Sequence, residues 1–449
     1  MTRDMTSDSP FWHIVAFTVP LFIGMMFQQF YHFADTIIVS RILGEGALAA
    51  VGSIGAVNFL VLGFSGGLSS GLAIPIAISF GAKEYDKLKQ YIGNIVWICL
   101  FFSVLLTLGS TILSRPVLEW TRTPSDIIDM AHEYLFIILL GIPAMIAFNT
   151  LAAVLRSLGD SRTPLIILIF SSLLSIVLAL AFILGLNMGV AGAAWATVLA
   201  QAFSVIGCLL YVKKHFHILY LKKSDFKLNF YHIKDLLGMG IPMGMMFFIM
   251  GIGSVFLQTA INSLGSIAVA AVTAAIRFEG LFSTLTNSIG NGIATFCGQN
   301  IGAGRVDRIK KAMKTFVAIG LGYSLIAFFI VLLFGRTMTL LFIDAESLEL
   351  IELVYQYLLI ISAFFWALAL VHIVRAALQG MGCGKIVLVG GFLEGVARGA
   401  AGLVFVPAFG FVAACFAAPG AWVLANVFTV PAYFIIIRRA SGKMQNIVD

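Results

Sequence analysis

Apolar runs long enough to cross a lipid bilayer recur along almost the whole chain and leave room for little else. A spanning helix takes about 20 apolar residues. Such runs stand near residues 12–38, 47–79, 88–113, 128–154, 164–185 and 190–212, and again near 236–262, 268–299, 312–334, 350–377, 386–408 and 411–437. Of 449 residues, 60% are hydrophobic and 11% charged, against about 25% charged in soluble domains. A water-soluble core needs far less apolar material, so the expected fold is an all-α integral membrane protein of about twelve transmembrane helices. The opening MTRDMTSDSP is polar and short. The apolar run behind it is too long for a signal-peptide core and carries no A-x-A site, so it is expected to stay as the first span. Cys99, Cys208, Cys297, Cys383 and Cys415 lie in or beside apolar runs without CxxC spacing. They read as small core residues, neither disulfides nor metal ligands.

The net charge of +7 does not imply nucleic acid, because the basic residues follow alternate loops. The N-terminus, the loops after spans 2, 4, 6, 8 and 10, and the C-terminus together hold 21 of the 28 Lys and Arg, whereas the opposite loops hold 4. Arg277, Arg375 and Arg398 fall inside apolar runs. The bias places both termini in the cytoplasm and requires an even number of spans.

The second half of the chain repeats the first at an offset of about 221 residues. GEGALAAVG aligns with GSIAVAAVT, GAKEYDKLK with GAGRVDRIK, and GVAGAA with GFVAAC, while AAVLRSLGD aligns with AALQGMGCG at an offset of about 223. Chance similarity between membrane helices explains shared Ala and Gly but not a charged loop repeated at one spacing. Six spans per half is even, so the halves are parallel repeats related by an axis along the membrane normal. The expected organisation is an N-terminal six-helix lobe over 1–213, a cytoplasmic linker over 214–234 and a C-terminal six-helix lobe over 235–449. Two such lobes suit a carrier that alternates access better than a channel.

Polar residues inside the runs are the candidates for function. Gln28, His32 and Asp35 stand at i, i+4 and i+7 on one face of the first span. An ionised Asp at the bilayer centre costs about 2.5–3.5 kcal/mol on insertion scales, so Asp35 is expected to face a cavity or a partner. It is the candidate ion-coupling carboxylate. The alternative is an interfacial Asp35 paired with Arg41. His32 can equally satisfy a backbone group. Thr284, Ser288, Asn291 and Thr295 line one face of the eighth run, preceded by Arg277 and Glu279. Gln258 and Asn262 in the seventh, Asn58 in the second and Asn149 in the fourth add further amides. Gln28, His32, Asn58, Asn149, Gln258, Asn262, Glu279 and Asn291 form the candidate cavity set. Hydrogen-bonding glue between helices accounts for any one of them as well as substrate contact does. Glu394 and Arg398 stand at i, i+4, the favourable order for an ion pair. Such a pair is either structural or part of coupling or gating.

Enzyme signatures do not stand out: there is no HExxH, GxSxG occurs only within the second apolar run as GFSGG and GLSSG, and GMGCGKI lacks the spacing and the Ser/Thr of a phosphate-binding loop. No cofactor is expected, and an ion gradient is the expected energy source.

Several segments resemble the multidrug and toxic compound extrusion (MATE) family: VPLFIGMMFQQFYHFADTIIVSRILGEGALAAVG, SFGAKEYDKLKQ, VAGAAWATVLAQ and GNGIATFCGQNIGAGRVDRIKKA. The resemblance implies a V-shaped pair of six-helix lobes that exports an organic, cationic amphiphile or drug in exchange for H+ or Na+ across a bacterial-type cytoplasmic membrane. It also implies that Asp35 belongs to the coupling site, where Na+ is the one metal ion to consider. Departures from the family pattern fall at Ile249, near Leu368, at Ser175 and at Ala179, where charged or amide residues are usual. Function as a monomer is expected. Two other carriers fit less well: a lipid-linked-precursor flippase, which has about fourteen spans, and a major-facilitator carrier, whose loop pattern GAKEYDKLKQ does not supply.

Overall fold

The computed structural model describes residues 3–120, 123–340 and 347–448, with the side chains of 32–36, 45, 56–58, 217 and 443–448 left undescribed. Among the described residues there are helices and no strands. The first half runs through α1 (Pro10–Ile38), α2 (Glu45–Ser53), α3 (Gly55–Leu72), α4 (Ile74–Gly81), α5 (Tyr85–Trp120), α6 (Ile128–Leu140), α7 (Ile142–Ser157), α8 (Arg162–Leu180) and α9 (Gly189–His215). The second runs through α10 (Phe230–Asn262), α11 (Ser266–Gly302), α12 (Val306–Thr339), α13 (Leu348–Ala363), α14 (Phe365–Gly380), α15 (Gly384–Ala400), α16 (Val406–Phe409) and α17 (Phe411–Val448). Among the described residues ten helices are long and apolar enough to cross a membrane, or up to twelve if each of two bent pairs counts as one span.

The bends and breaks recur in register between the halves. The α6–α7 pair turns by 46° and the α13–α14 pair by 49°. Gly44 (φ 84°) and Gly265 (φ 97°) precede α2 and α11, Gly189 (φ 56°) opens α9 as Gly410 (φ 64°) precedes α17, and Gly159 (φ 85°) answers Gly382 (φ 81°). Lys83 (φ 60°) answers Gly304 (φ 72°), so one copy of the charged loop holds a side chain where the other holds none. One-turn π-helices follow α8 at Ala181–Gly185 and α15 at Ala401–Phe405. The backbone thus repeats the turning points that the sequence repeat marks.

Apolar side chains are distributed as they are in lipid rather than in water. On α5, Phe101, Leu105, Leu108 and Ile112 recur at helical spacing and are each more than half exposed. Small residues take the interior instead, as Ala193, Ala194, Ala196 and Ala200 do on α9. Between apolar helices in lipid, close backbone approach supplies the packing that the hydrophobic effect supplies in water. Cys208, Cys297 and Cys415 are buried among these residues, and all five thiols are free.

Two compact units emerge: residues 1–4 with 19–244, and residues 5–18 with 245–449. The boundaries differ from the sequence expectation at both ends. Residues 214–234 are packed into the first unit. Trp97 Nε1 donates to the Phe226 carbonyl at 2.9 Å, the Asn229 amide donates to Asn94 Oδ1 at 3.0 Å, and Tyr91 donates to Asp235 at 2.9 Å. The polar opening segment is likewise held, in the second unit. The Met5 amide donates to Gln299 Oε1 at 2.9 Å, and Asn300 Nδ2 donates to the Met5 carbonyl at 3.1 Å. Arg308 donates from Nη2 to the Met5 carbonyl at 3.0 Å and from Nη1 to the Asp8 carbonyl at 2.6 Å. Met5, Gln299 and Asn300 are fully buried.

Candidate functional site

In the first unit α1, α7, α8 and α9 enclose a cavity of about 440 Å³, within the range of small-molecule sites. Gln28 and Tyr31 reach it from α1 and Asn149 from α7. Ser171, Ser172 and Ser175 line it from α8, and Thr197, Gln201 and Ser204 from α9. Small hydroxyl residues open this space because each leaves room that a larger side chain would fill. Several also return their proton to a helix carbonyl, as Ser171 and Ser204 do at 2.9 Å to Ala200. The Tyr31 hydroxyl lies 2.9 Å from Ser175 Oγ and 3.4 Å from Thr197 Oγ1, tying α1 to α8 and α9. Ile54, Leu62, Met145 and Phe148 supply an apolar wall. Among the described residues the lining carries no Asp, Glu, Lys, Arg or His. The described lining therefore offers shape and neutral hydrogen-bonding groups.

Of the residues singled out in the sequence, Gln28 and Asn149 line this cavity, and Ser175, a departure from the family pattern, meets Tyr31 in it. Asp35, His32 and Asn58 lie outside the described side chains. The remaining candidates belong to the second unit. Gln258 Nε2 donates to Asn262 Oδ1 at 2.9 Å, so these two exposed amides largely satisfy each other. Asn291 is exposed and donates to the Asn287 carbonyl at 3.0 Å. Thr284 and Ser288 are buried and donate to carbonyls four residues back on α11 at 2.7 and 2.8 Å. The eighth-run stripe is thus divided between two environments.

The Glu394–Arg398 pair is a larger cluster than its i, i+4 spacing reveals. Arg398 Nη2 donates to Glu394 Oε1 at 3.0 Å, and Arg375 Nη1, from α14, donates to Glu394 Oε2 at 3.2 Å. Arg398 Nη1 also donates to Ser254 Oγ on α10 at 3.2 Å. Glu279 on α11 stands within electrostatic reach of Arg398 and Glu394. Two cations and two anions therefore gather in one region of the second unit. The sequence signal for Arg375 was its position inside an apolar run, which gave no partner.

One family model, MatE, matches this chain twice, over residues 20–181 and 242–394, so both halves carry the same pattern. The chain belongs to the MATE family. Among its relatives, the probable multidrug resistance protein YpnP of Bacillus subtilis is 27% identical over 86% of each chain. An FAD transporter of Shewanella oneidensis is 22% identical over 81% of this chain and 80% of its own. A crystal structure of a MATE protein in a bent conformation superposes with a TM-score of 0.90 at 23% identity, covering 98% of both chains. The MATE fold, the multi-pass membrane setting and a transport role follow from these matches, and MATE proteins are transporters rather than enzymes.

Proposed function

We propose that this MATE protein exports organic, cationic amphiphiles across a bacterial cytoplasmic membrane in exchange for H+ or Na+, with Asp35 as the coupling carboxylate and both termini in the cytoplasm. The observation that supports it is the cavity of the first unit, whose described lining carries no charged side chain. Asp35 follows its lining residues Gln28 and Tyr31 by seven and four positions along α1. In this reading the Asp35 carboxylate serves that lining, and a carboxylate attracts a cation strongly where its described neighbours are neutral hydroxyls and amides and the dielectric is low. Aromatic Tyr31 and Phe148 add quadrupole attraction for an organic cation. A proton or Na+ arriving at the same carboxylate removes that attraction and releases the cargo. Differential binding of this kind is all that coupling requires. The multidrug resistance named for the Bacillus subtilis relative agrees with this cargo. The protein is read as a monomer that binds no cofactor.

Proteoliposomes loaded with ethidium and given separate pH and Na+ jumps test this reading. Wild-type protein moves the dye in response to one of the two jumps, and Asp35→Asn, at equal reconstitution, moves it in response to neither. Near-normal dye movement by Asp35→Asn removes the coupling role from this residue.

A further inference from the structure

The charge cluster of the second unit is not accounted for by cation export. Glu394, with 3% of its side chain exposed, takes one N–H from each of two guanidiniums. A carboxylate is neutralised by one arginine and is held best by both prongs of a single fork. Here neither arginine engages Glu394 with two prongs. Arg398 Nε is buried and has no hydrogen-bond partner, a costly state for a charged donor. Arg375 and Arg398 keep 14% and 21% of their side chains exposed, so the guanidiniums, not the carboxylate, form the reachable part of the cluster.

The surroundings hold this arrangement still. A Cβ on Gly253 would meet the Gly395 carbonyl, one on Gly395 would lie 2.9 Å from the Ile249 carbonyl, and one on Gly402 would lie 2.6 Å from that of Phe256. Glycine at these positions lets α10 and α15 touch backbone to backbone, which fixes Ser254 against Arg398. A site whose donors are placed before the ligand arrives loses little in ordering them.

We propose that Arg375 and Arg398, with Ser254, form an oxyanion site for a carboxylate or phosphate group on a transported amphiphile, and that Glu394 is its built-in competitor. The cargo would then include zwitterionic or anionic amphiphiles as well as cations. The site rests on the transport reading for where its ligand comes from, and not on Asp35. Glu394 offsets part of the guanidiniums' charge when no ligand is present, which limits the cost of keeping two arginines in the membrane. An arriving oxyanion exchanges for it, offering the forks a planar or tetrahedral partner.

Fluorescein, a dianionic dye, tests this by fluorescence anisotropy with the purified full-length protein in neutral detergent. The expected result is saturable binding that weakens about tenfold or more in Arg375→Gln and in Arg398→Gln, as loss of a charge-assisted hydrogen bond demands. Binding should tighten in Glu394→Gln and stay unchanged in Asp35→Asn, even where the latter has lost transport. Arg398→Lys keeps the charge without the fork and should fall between wild type and Arg398→Gln, which keeps the test sound if a Gln variant fails to fold. Displacement of the dye by pyrophosphate assigns the site to soluble solutes. Displacement in nanodiscs by phosphatidylglycerol, but not by phosphatidylcholine, assigns it to a lipid headgroup. Absence of saturable binding, wild-type affinity in folded arginine variants, or loss of binding in a folded Glu394→Gln overturns the proposal.

Discussion

Gln299→Ala should release the opening segment of the chain. The Met5 amide is fully buried and donates to Gln299 Oε1 at 2.9 Å, so truncating that side chain leaves a buried donor without this acceptor. Such a loss costs about 1–3 kcal/mol, and the free energy of local opening around Met5 falls by the same amount. With tenfold in an equilibrium constant for every 1.4 kcal/mol, amide exchange in the segment should accelerate about 5- to 150-fold. Neighbouring contacts do not replace the bond, because Asn300 Nδ2 and Arg308 Nη2 both serve the Met5 carbonyl rather than its N–H. Hydrogen–deuterium exchange read by mass spectrometry on a peptide spanning residues 3–9 measures the change. A peptide from α12 that does not touch the segment serves as the control. Exchange in Gln299→Ala within twofold of wild type would refute the reasoning, since a bond that does not protect its own amide does not hold the segment down.

Two further substitutions test the repeated backbone and the glycine contacts. Lys83→Gly should stabilise the protein by about 0.5–1 kcal/mol, because relief of a left-handed non-glycine residue, worth about 1–2 kcal/mol, exceeds the glycine entropy cost. Lys83 is exposed, so no packing is lost, and a lower melting temperature in detergent would count against the assignment. Gly253→Ala should destabilise by about 1–2 kcal/mol, since overpacking against the Gly395 carbonyl outweighs the gain in helix propensity. A melting temperature equal to or above wild type would show that α10 and α15 part without cost.

What the sequence made legible was whatever one helix or one loop decides by itself. Run lengths give the spans, because bilayer thickness acts on each helix separately. Paired motifs give the turning points: Gly44, Gly159 and Gly189 each have a left-handed partner where the repeat puts it, even across the slip in offset near Gly382. The bends were less visible. Pro143 beside Gly141 marks the first, but the second falls among Phe364, Phe365 and Trp366, where no residue breaks a helix. Contacts between helices were hidden altogether. Arg375 lies 19 positions from Glu394 and meets it only after folding. The amides grouped as one cavity set divide instead, because Gln28 and Asn149 reach a cavity whereas Gln258 and Asn262 reach each other. The GQNIGAGR segment stood out as a family signature, yet nothing local announces that Gln299 and Asn300 hold the start of the chain.

The makeup of the two units bears on how such a duplicated gene works. Residues 5–18 are counted with the later half, and their repeat counterparts, about 222 positions on, are counted with the earlier one. Each unit therefore includes a stretch of chain that opens the other half of the sequence. Neither half-gene encodes a complete bundle, so a ribosome that has finished only the first half has made a bundle still waiting for a piece of the second.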